Sequence, residues 1–339
     1  MTRTILVTGA TGFLGSHTLQ ALARLPDVRV VAACRSPEKL PVWFEGEVRA
    51  GDLRDPTYRQ EVVAGVDAVC HCGTWGAMYG HDAEERRWFY EPTVDLIERC
   101  IEQGVGRFLL ASSVAIAARG GAGPIDDFTP TAKTGFWPHL DLLVELDGYM
   151  QARAGQGTQL VTMRLGHFVG RGNRLGLVPA IVPRLRTYLV PWLAGGRGRM
   201  PLVAGPDLGQ GFALAATAEG LDDYESFNIC GPSYPTGREV FTEIARLADA
   251  PTPWFSVPYV ACYAFGWLME RLHPLLRTRA PFLTRAIVHI AEDWHTPTAY
   301  AHARLGYEPG VDWRDAVAQS VADASAAGFP WPYLNQEVP

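Results

Sequence analysis

The stretch Ile5-Leu6-Val7-Thr8-Gly9-Ala10-Thr11-Gly12-Phe13-Leu14-Gly15 decides the fold of this 339-residue chain. An apolar run leads into three glycines at a three-residue spacing, and an amphipathic stretch from Ser16 to Leu25 follows. This order predicts a buried strand, a tight turn and the N-terminus of a helix. Backbone amides in such a turn can bind a pyrophosphate, and glycine lets the phosphate approach closely. The residues predicted to form this dinucleotide site are Gly9, Thr11, Gly12, Phe13, Leu14 and Gly15.

Apolar segments alternate with helical patterns through the first half of the chain. Such alternation is typical of strands that pair in parallel through helical crossovers. The sequence therefore predicts an α/β fold, a Rossmann-type doubly wound parallel sheet. Further strands are predicted at 28–34, 48–53, 68–71, 107–112 and 160–164, with helices near 58–64, 93–103 and 141–154.

The residues after the second strand indicate which dinucleotide binds. An acid at this point would bind both ribose hydroxyls of NAD, but here Arg35 and Ser36 follow the strand. A guanidinium and a hydroxyl suit a 2′-phosphate, so the sequence predicts NADP(H). The alternative is a solvated arginine at a strand end. Asp52 and Leu53, after the third strand, are predicted to contact the adenine.

The composition of the sequence changes near Gly170, where glycine and proline become frequent and apolar segments no longer alternate regularly with helical ones. Residues 227–230 have the pattern of a strand that returns to the main sheet. We therefore expect an NADP-binding Rossmann domain at 1–170, with a returning strand near 211–235. A smaller C-terminal lobe, formed by 171–210 and 236–339, is expected to bind the substrate.

Composition excludes several classes of partner. The net charge of −6 argues against nucleic acid, and the longest apolar run, Val257 to Met269, is too short to span a bilayer. The scattered cysteines fit a reducing cytoplasm, and the N-terminus lacks the pattern of a signal peptide. Cys70 and Cys72 flank His71, but alternate residues closing a buried strand explain them better than a metal site, so no metal is expected.

Several segments together resemble the extended short-chain dehydrogenase/reductases, also called the NAD(P)-dependent epimerase/dehydratase family. The C-terminal part is most similar to the 3β-hydroxysteroid dehydrogenase-like branch. The resemblance implies a nicotinamide cofactor, for which His71, Gly73 and His167 are further candidate contacts, and the chain could form a homodimer. The segments that carry it are the glycine motif, Gly51-Asp52-Leu53, Ala68-Val69-Cys70-His71, 107–113, Met163-Arg164-Leu165-Gly166, Phe227-Asn228-Ile229, Pro281-Phe282-Leu283-Thr284 and 303–309.

The catalytic residues that the resemblance implies are present only in part. In that family a serine, a tyrosine and a lysine four residues after the tyrosine carry catalysis, and Ser113 matches the serine. No Tyr-x-x-x-Lys occurs in this sequence, whose only lysines are Lys39 and Lys133. Counting forward from Ser113 and back from Arg164 places the tyrosine position on His139. The lysine position then falls on Leu143.

His139 is therefore the candidate proton donor. An imidazole with an ordinary pKa of about 6.5 can exchange protons near neutral pH without a lysine. The alternative is a structural or solvent-facing histidine after Pro138. Tyr149 and Arg153 have the spacing of a substitute pair, but they lie about 15 Å further along the predicted helix.

Aromatic residues are concentrated in two places. Trp75, Met78 and Tyr79 follow the fourth strand and either line the pocket or form an ordinary loop. A second set forms either an apolar lid or the core of a helix. Its members are Trp254, Phe255, Tyr259, Tyr263, Phe265 and Trp267.

Two hypotheses for function follow. The first is an NADPH-dependent reductase with a non-standard proton donor, acting on a bulky apolar molecule with an iminium, conjugated-alkene or carbonyl group. An iminium carbon accepts hydride without a proton, whereas a simple ketone needs its oxyanion stabilised at once. The second is a non-redox lyase, isomerase or cyclase, or a cofactor-sensing protein, on the same scaffold.

Overall fold

The structure, a computed structural model, describes residues 2–119, 123–276 and 281–329. The strands are β1 (Arg3–Thr8), β2 (Val28–Cys34), β3 (Glu47–Ala50), β4 (Ala68–His71), β5 (Arg107–Ser113), β6 (Gln159–Leu165), β7 (His167–Val169), β8 (Trp192–Leu193), β9 (Leu202–Ala204), β10 (Tyr224–Ile229) and β11 (Ser256–Val257). The α-helices are α1 (Phe13–Leu22), α2 (Pro56–Val62), α3 (Asp82–Glu85), α4 (Glu91–Glu102), α5 (Pro138–Arg153), α6 (Leu177–Leu185), α7 (Gly205–Thr217), α8 (Gly237–Leu247), α9 (Tyr259–Leu276), α10 (Arg285–Ile290), α11 (Ala299–Leu305) and α12 (Trp313–Ala326).

The main sheet has seven strands in the order β3-β2-β1-β4-β5-β6-β10. Every neighbouring pair is parallel, and β10 returns to the edge beside β6. This confirms the predicted doubly wound α/β fold and the returning strand. The strand order reverses between β1 and β4, and in such sheets ligands bind outside the carboxyl ends of the strands at that point.

Strand β1 shows why the opening sequence is apolar without alternation. Ile5 and Val7 pack into one hydrophobic cluster, and Leu6, between them, packs into a second cluster on the other face of the sheet. All three side chains have 0% exposure. Because helices cover both faces, a central parallel strand is apolar along most of its length.

Helix α7 packs closely on α1 and so adds to the layer that supports the nucleotide turn. A Cβ atom on Gly209 would lie 2.3 Å from the His17 carbonyl oxygen, and one on Gly205 would lie 2.1 Å from the His17 ring. Glycine at these positions therefore sets the distance between the two helices. A third cluster, on β7, β9, α6, α8 and α12, forms a separate core away from the sheet. Its members include Val169, Val182, Leu202, Val240 and Val317.

Two helices begin earlier than their sequence patterns predicted. Helix α5 begins at Pro138, so His139 lies in its first turn, and α4 begins at Glu91. A π-helical turn, Arg86–Tyr90, joins α3 to α4. Proline is favoured in the first turn of a helix, and this explains the start of α5. Within the part of the chain that the structure describes, no helix is long and apolar enough to cross a membrane.

Candidate active site

The turn after β1 depends on glycine at two positions because the backbone packs tightly there. Gly9 has a φ of +62°, and a Cβ atom on it would lie 2.7 Å from the Gly73 backbone. A Cβ atom on Gly15 would lie 2.2 Å from the Gly9 carbonyl oxygen. These glycines hold the turn against both α1 and the segment that follows β4.

Gly12 has a different surrounding, which suits a phosphate. It is exposed, it caps α1, and no side chain satisfies the first amides of that helix. Among described residues, the single atom that a Cβ on Gly12 would meet within 4 Å is the Gly9 carbonyl oxygen, at 3.2 Å. The N-terminus of α1 is thus uncapped, and its binding of a pyrophosphate stays a prediction. Leu14 is buried at 6% exposure, so only its backbone could contact a cofactor.

The two residues after β2 lie at the outer edge of this turn. Arg35 is exposed, and the described residues offer it no hydrogen bond or ion pair. Ser36 is half-buried and precedes a short 3₁₀ turn, Pro37–Lys39. The guanidinium of Arg35 is therefore available to an anionic ligand.

Asp52 lies at the same edge and already has a partner. Its carboxylate accepts hydrogen bonds from the backbone and guanidinium of Arg54 at 2.6–2.9 Å. Burial opposes ionisation, but the hydrogen bonds and charge of Arg54 lower the pKa of Asp52 below its ordinary value. Asp52 is thus ionised at neutral pH and can accept a hydrogen bond from an amino group.

A cavity of about 390 Å³ adjoins Asp52 and Leu53, and no pattern in the sequence predicted it. Arg59 reaches from it to the Leu53 carbonyl oxygen at 2.6 Å and to the Asp95 carboxylate at 2.5 Å. Arg59 therefore connects this cavity to Leu53, after β3, and, through Asp95, to α4. Its lining residues are Arg54, Arg59, Arg87, Trp88, Glu91 and Pro92.

His71 lies beneath the turn rather than at its surface. Its ring is 2% exposed and contacts the hydroxyls of Thr8 at 2.8 Å and Thr93 at 3.1 Å. Burial lowers the pKa of His71 to about 4, so the ring is neutral. The Thr8 hydroxyl also accepts from the Gly73 amide at 3.3 Å. His71 thus connects β1, β4 and α4. The backbone of Gly73 lies beside the glycine turn.

The cysteines next to His71 are buried. The Cys72 sulfur lies 3.7 Å from the Thr18 hydroxyl, and burial raises the pKa of the Cys72 thiol. Over residues 2–119, 123–276 and 281–329, no group of three or more His, Cys, Asp or Glu side chains is placed to hold a metal ion.

His139 lies close to the segment that also contacts the glycine turn. A Cβ atom on Gly76 would lie 2.5 Å from His139 Nδ1, and the Phe89 ring centroid is 5.2 Å from the imidazole centroid. Nδ1 is buried, and no described residue bonds to it. Burial lowers the pKa of His139 to about 4. The expectation that His139 titrates near 6.5 is therefore wrong, because this pocket keeps the imidazole neutral.

Ser113 lies at the carboxyl end of β5, opposite Leu165 of β6. Its Oγ accepts a hydrogen bond from the Ala115 amide at 3.1 Å. This bond fixes the side chain and leaves the hydroxyl proton to be donated elsewhere.

The other candidate residues have structural contacts. His167 Nε2 lies 3.1 Å from the Ile290 carbonyl oxygen, and burial lowers its pKa to about 4. Leu143 is 4% exposed within the second core cluster. Tyr149 donates to the Glu98 carboxylate, and Arg153 forms an ion pair with the same group at 3.0 Å. This pair therefore belongs to a separate cluster around Glu98.

A buried carboxyl group, which sequence reasoning missed, holds the segment beside His139. Glu85 has 0% exposure and accepts from the Ala77 amide at 2.5 Å, while the Trp137 indole donates to the Ala77 carbonyl oxygen at 3.0 Å. Burial, together with the charges of Asp82 and Glu84, raises the pKa of Glu85 to about 8. Glu85 is thus mainly protonated at neutral pH. It belongs to the run Asp-Ala-Glu-Glu-Arg-Arg, which is typical of a solvated helix face.

The same segment contacts α9. The Tyr79 hydroxyl donates to the Glu270 carbonyl oxygen at 2.7 Å. Phe136, just before α5, packs against Tyr263 of α9 with ring centroids 5.9 Å apart. Helix α9 therefore packs on the aromatic residues around His139.

Comparison with known proteins agrees with this geometry. The model of a family described as the NAD dependent epimerase/dehydratase family matches residues 5–230. A 2-alkyl-3-oxoalkanoate reductase of Stenotrophomonas maltophilia is 28% identical over 337 residues, covering 95% of this chain and 99% of the relative. Human 3 beta-hydroxysteroid dehydrogenase type 7 is 25% identical, with 95% of each chain covered.

Solved structures show the same fold. The UDP-glucose 4-epimerase of Thermus thermophilus, in complex with NAD, superposes with a TM-score of 0.70. The two chains are 18% identical, and the match covers 96% of this chain and 99% of the epimerase.

Proposed function

Because the chain belongs to the NAD-dependent epimerase/dehydratase family, we propose that it is an NADPH-dependent reductase of a bulky, apolar small molecule. It is an oxidoreductase, and two relatives that match it over nearly their full length are a reductase and a dehydrogenase. The names of both relatives denote apolar substrates, an alkyl-substituted oxo acid and a steroid.

One observation carries the proposal. A single segment after β4 packs against the nucleotide turn at Gly73 and against His139 at Gly76. This segment supports the proposal because it runs from the glycine turn to the imidazole that we assign to the tyrosine position. This is the arrangement that hydride transfer between a nicotinamide and a substrate requires.

The described residues fit such a cofactor. The exposed Gly12 and the uncapped α1 suit the pyrophosphate, and the unpaired Arg35 with Ser36 suits a 2′-phosphate. Asp52 and Leu53 precede Arg54, which lines the neighbouring cavity, and we assign the adenine to this edge. Bound NADPH would supply the hydride.

The chain's own groups then orient and polarise the substrate. The Ser113 hydroxyl, fixed by the Ala115 amide, donates a hydrogen bond to the electronegative atom of the substrate. A neutral His139 can add a second hydrogen bond, but it is a weak acid. Such a site favours an electrophile that needs little proton assistance. An iminium carbon accepts hydride directly, and a conjugated alkene gives an enolate that water can protonate.

Turnover with a panel of apolar substrates tests the proposal. An iminium compound, a conjugated enone and a 2-alkyl-3-oxo acid are each incubated with NADPH, and both cofactor absorbance and product are followed. Reduction of the iminium or the alkene, faster than that of the oxo acid, is expected. Conversion of a substrate without loss of NADPH would contradict the reductase proposal and support a lyase, isomerase or cyclase.

The choice of NADP(H) rests on Arg35. Arg35→Asp should weaken NADPH binding by roughly 1.5–3 kcal/mol, the size of a hydrogen bond to a charged group, and should change NADH binding little. Calorimetric titration measures both. Arg24→Asp is the matched control because Arg24 is also exposed and the change in net charge is the same. Equal affinity of the unmodified protein for NADH and NADPH would remove the argument.

A further inference from the structure

Helix α9 has an outer face that is both apolar and exposed. The exposed fractions of its side chains are 81% for Val260, 47% for Trp267, 43% for Leu268, 38% for Leu272 and 78% for Leu275. These positions recur at the helical spacing and so form one continuous stripe. Exposed stripes of this kind mark interaction sites.

The inner face of the same helix is well packed. Cys262 is 2% exposed, and Glu270 is 6% exposed and forms an ion pair with Arg285 at 2.7 Å. The helix is therefore anchored to the protein along one face and presents the other outward. Trp254, 74% exposed, lies just before it and donates its indole N–H to the Tyr188 carbonyl oxygen at 3.0 Å.

The charges of the residues in and around α9 indicate which kind of partner binds this face. The chain as a whole has a net charge of −6, but residues 251–285 contain four arginines and a single acid, Glu270. Because Arg285 forms an ion pair with Glu270, this stretch of the sequence keeps an excess of positive charge, and Arg271 of α9 lies over the Trp267 ring of the stripe. A second copy would bring like charges together at such a face. An anionic lipid surface would attract them, and tryptophan favours the membrane interface.

We propose that the α9 stripe docks the protein peripherally on an anionic lipid surface. The apolar side chains enter the boundary between headgroups and acyl chains while arginines contact the lipid phosphates. Since Tyr79 bonds to Glu270 on the inner side, the docked helix lies between the lipid and the segment beside His139. An apolar substrate dissolved in the membrane would thus be delivered close to the site. The docking itself does not depend on the proposed function.

Vesicle sedimentation with the full chain tests this proposal. Wild-type protein should bind vesicles of equal parts phosphatidylglycerol and phosphatidylcholine, and should bind phosphatidylcholine alone much more weakly. Leu268→Glu should lower affinity for the anionic vesicles at least about tenfold, because the burial of one leucine side chain raises an affinity by more than that amount. Arg271→Gln should lower it about fivefold, the effect of one cation near an anionic surface. Val42→Glu is the matched control, since Val42 is fully exposed in another part of the chain.

Three results would overturn the proposal. The first is no binding of the wild type to anionic vesicles, and the second is unchanged vesicle binding by Leu268→Glu. The third is that Leu268→Glu converts an oligomer into a monomer in sedimentation velocity without lipid, which would assign the stripe to a second copy. Circular dichroism and the melting temperature of each variant establish that the fold is retained. None of these readouts uses catalytic activity.

Discussion

Gly12 differs from Gly9 and Gly15 in how much space surrounds the position that a side chain would take. At Gly9 and Gly15 a Cβ atom would collide with backbone, whereas at Gly12 it would meet, of the residues that the structure describes, only the Gly9 carbonyl oxygen, at 3.2 Å. The φ of Gly12 is −81°, which any residue can adopt. Packing and backbone conformation therefore require glycine at positions 9 and 15 more strictly than at position 12.

Gly12→Val should accordingly abolish NADPH binding and leave the folded protein intact. The branched side chain would fill the space before the amides of α1 that a phosphate needs. Calorimetry measures the binding, and circular dichroism with thermal unfolding measures the fold. Gly9→Val is the contrasting variant, which should fail to fold because of its positive φ and its contact with Gly73. Normal cofactor binding by Gly12→Val would mean that the nucleotide site lies elsewhere.

His139 should act as a neutral hydrogen-bond donor and not as a titrating acid. Because burial lowers its pKa to about 4, its protonation state is constant from pH 6 to 8. His139→Phe should lower kcat by about 10²–10³, the loss typical of removing one donor to the reacting atom. The ratio of wild-type to variant rates should not change across this pH range.

The matched control for that measurement is His302→Phe, at an exposed position on α11. It should leave the rate unchanged. An inflection near pH 6.5 that is present in the wild type and lost in His139→Phe would contradict the neutral imidazole.

At the scale of secondary-structure elements, the segment between β4 and α3 is held by a protonated carboxyl group. The folded-state pKa of Glu85, about 8, lies above the ordinary value of 4.5. In the unfolded chain Glu85 ionises as the pH rises past 4.5, whereas in the folded protein it stays protonated until about 8. Its contribution to stability is thus complete below 4.5 and is lost as the pH rises through 8.

Glu85→Gln should remove this loss because glutamine keeps the acceptor for the Ala77 amide and has no charge. The free energy of unfolding of the variant, relative to wild type, should increase by on the order of 2 kcal/mol between pH 5 and 8. Urea unfolding at several pH values measures it. Glu84→Gln, next to it and partly exposed, should show no such trend. A constant difference between Glu85→Gln and wild type at all pH values would count against the raised pKa.

The elements that could be predicted from sequence are those whose signal is local. Strands β2 and β4 lie where their apolar runs predicted them, because most residues of a strand covered on both faces are apolar. The π turn 86–90 and the burial of Glu85 could not be predicted, because both depend on contacts with Ala77 and Trp137, distant in sequence. Counting along a family pattern assigned His139 to the tyrosine position, and that assignment stays a prediction. The neutrality of His139 follows only from the packing of Gly76 and Phe89.

At the scale of the whole molecule, hydrophobic clusters join regions that are far apart in the chain. Helix α11 packs Ala301 and Leu305 into the cluster of the main sheet, although α8 and α12 belong to the third cluster. The Tyr307 hydroxyl donates to the Cys230 carbonyl oxygen at 2.9 Å, next to the end of β10. The C-terminal region thus both forms its own core and contacts the nucleotide-binding sheet.

Cofactor binding should therefore stabilise the molecule as a whole. NADPH at about 100 times its Kd should raise the free energy of unfolding by ~2.7 kcal/mol, because it binds only the folded chain. NADH at the same concentration should produce a smaller rise in Tm, measured by calorimetry. Gly12→Val should show no rise with either cofactor. A wild-type Tm that NADPH does not alter would argue against the nucleotide site.

The burial of Leu143 opposes the introduction of a tyrosine–lysine pair at positions 139 and 143. A lysine at 143 would bring a charge into a core where Leu143 is 4% exposed, and a tyrosine at 139 would need the space that Gly76 now takes. Each of the two substitutions alone would destabilise the protein before the pair could contribute any activity. Variants that stay folded would therefore tend to change around the histidine and not to acquire that pair.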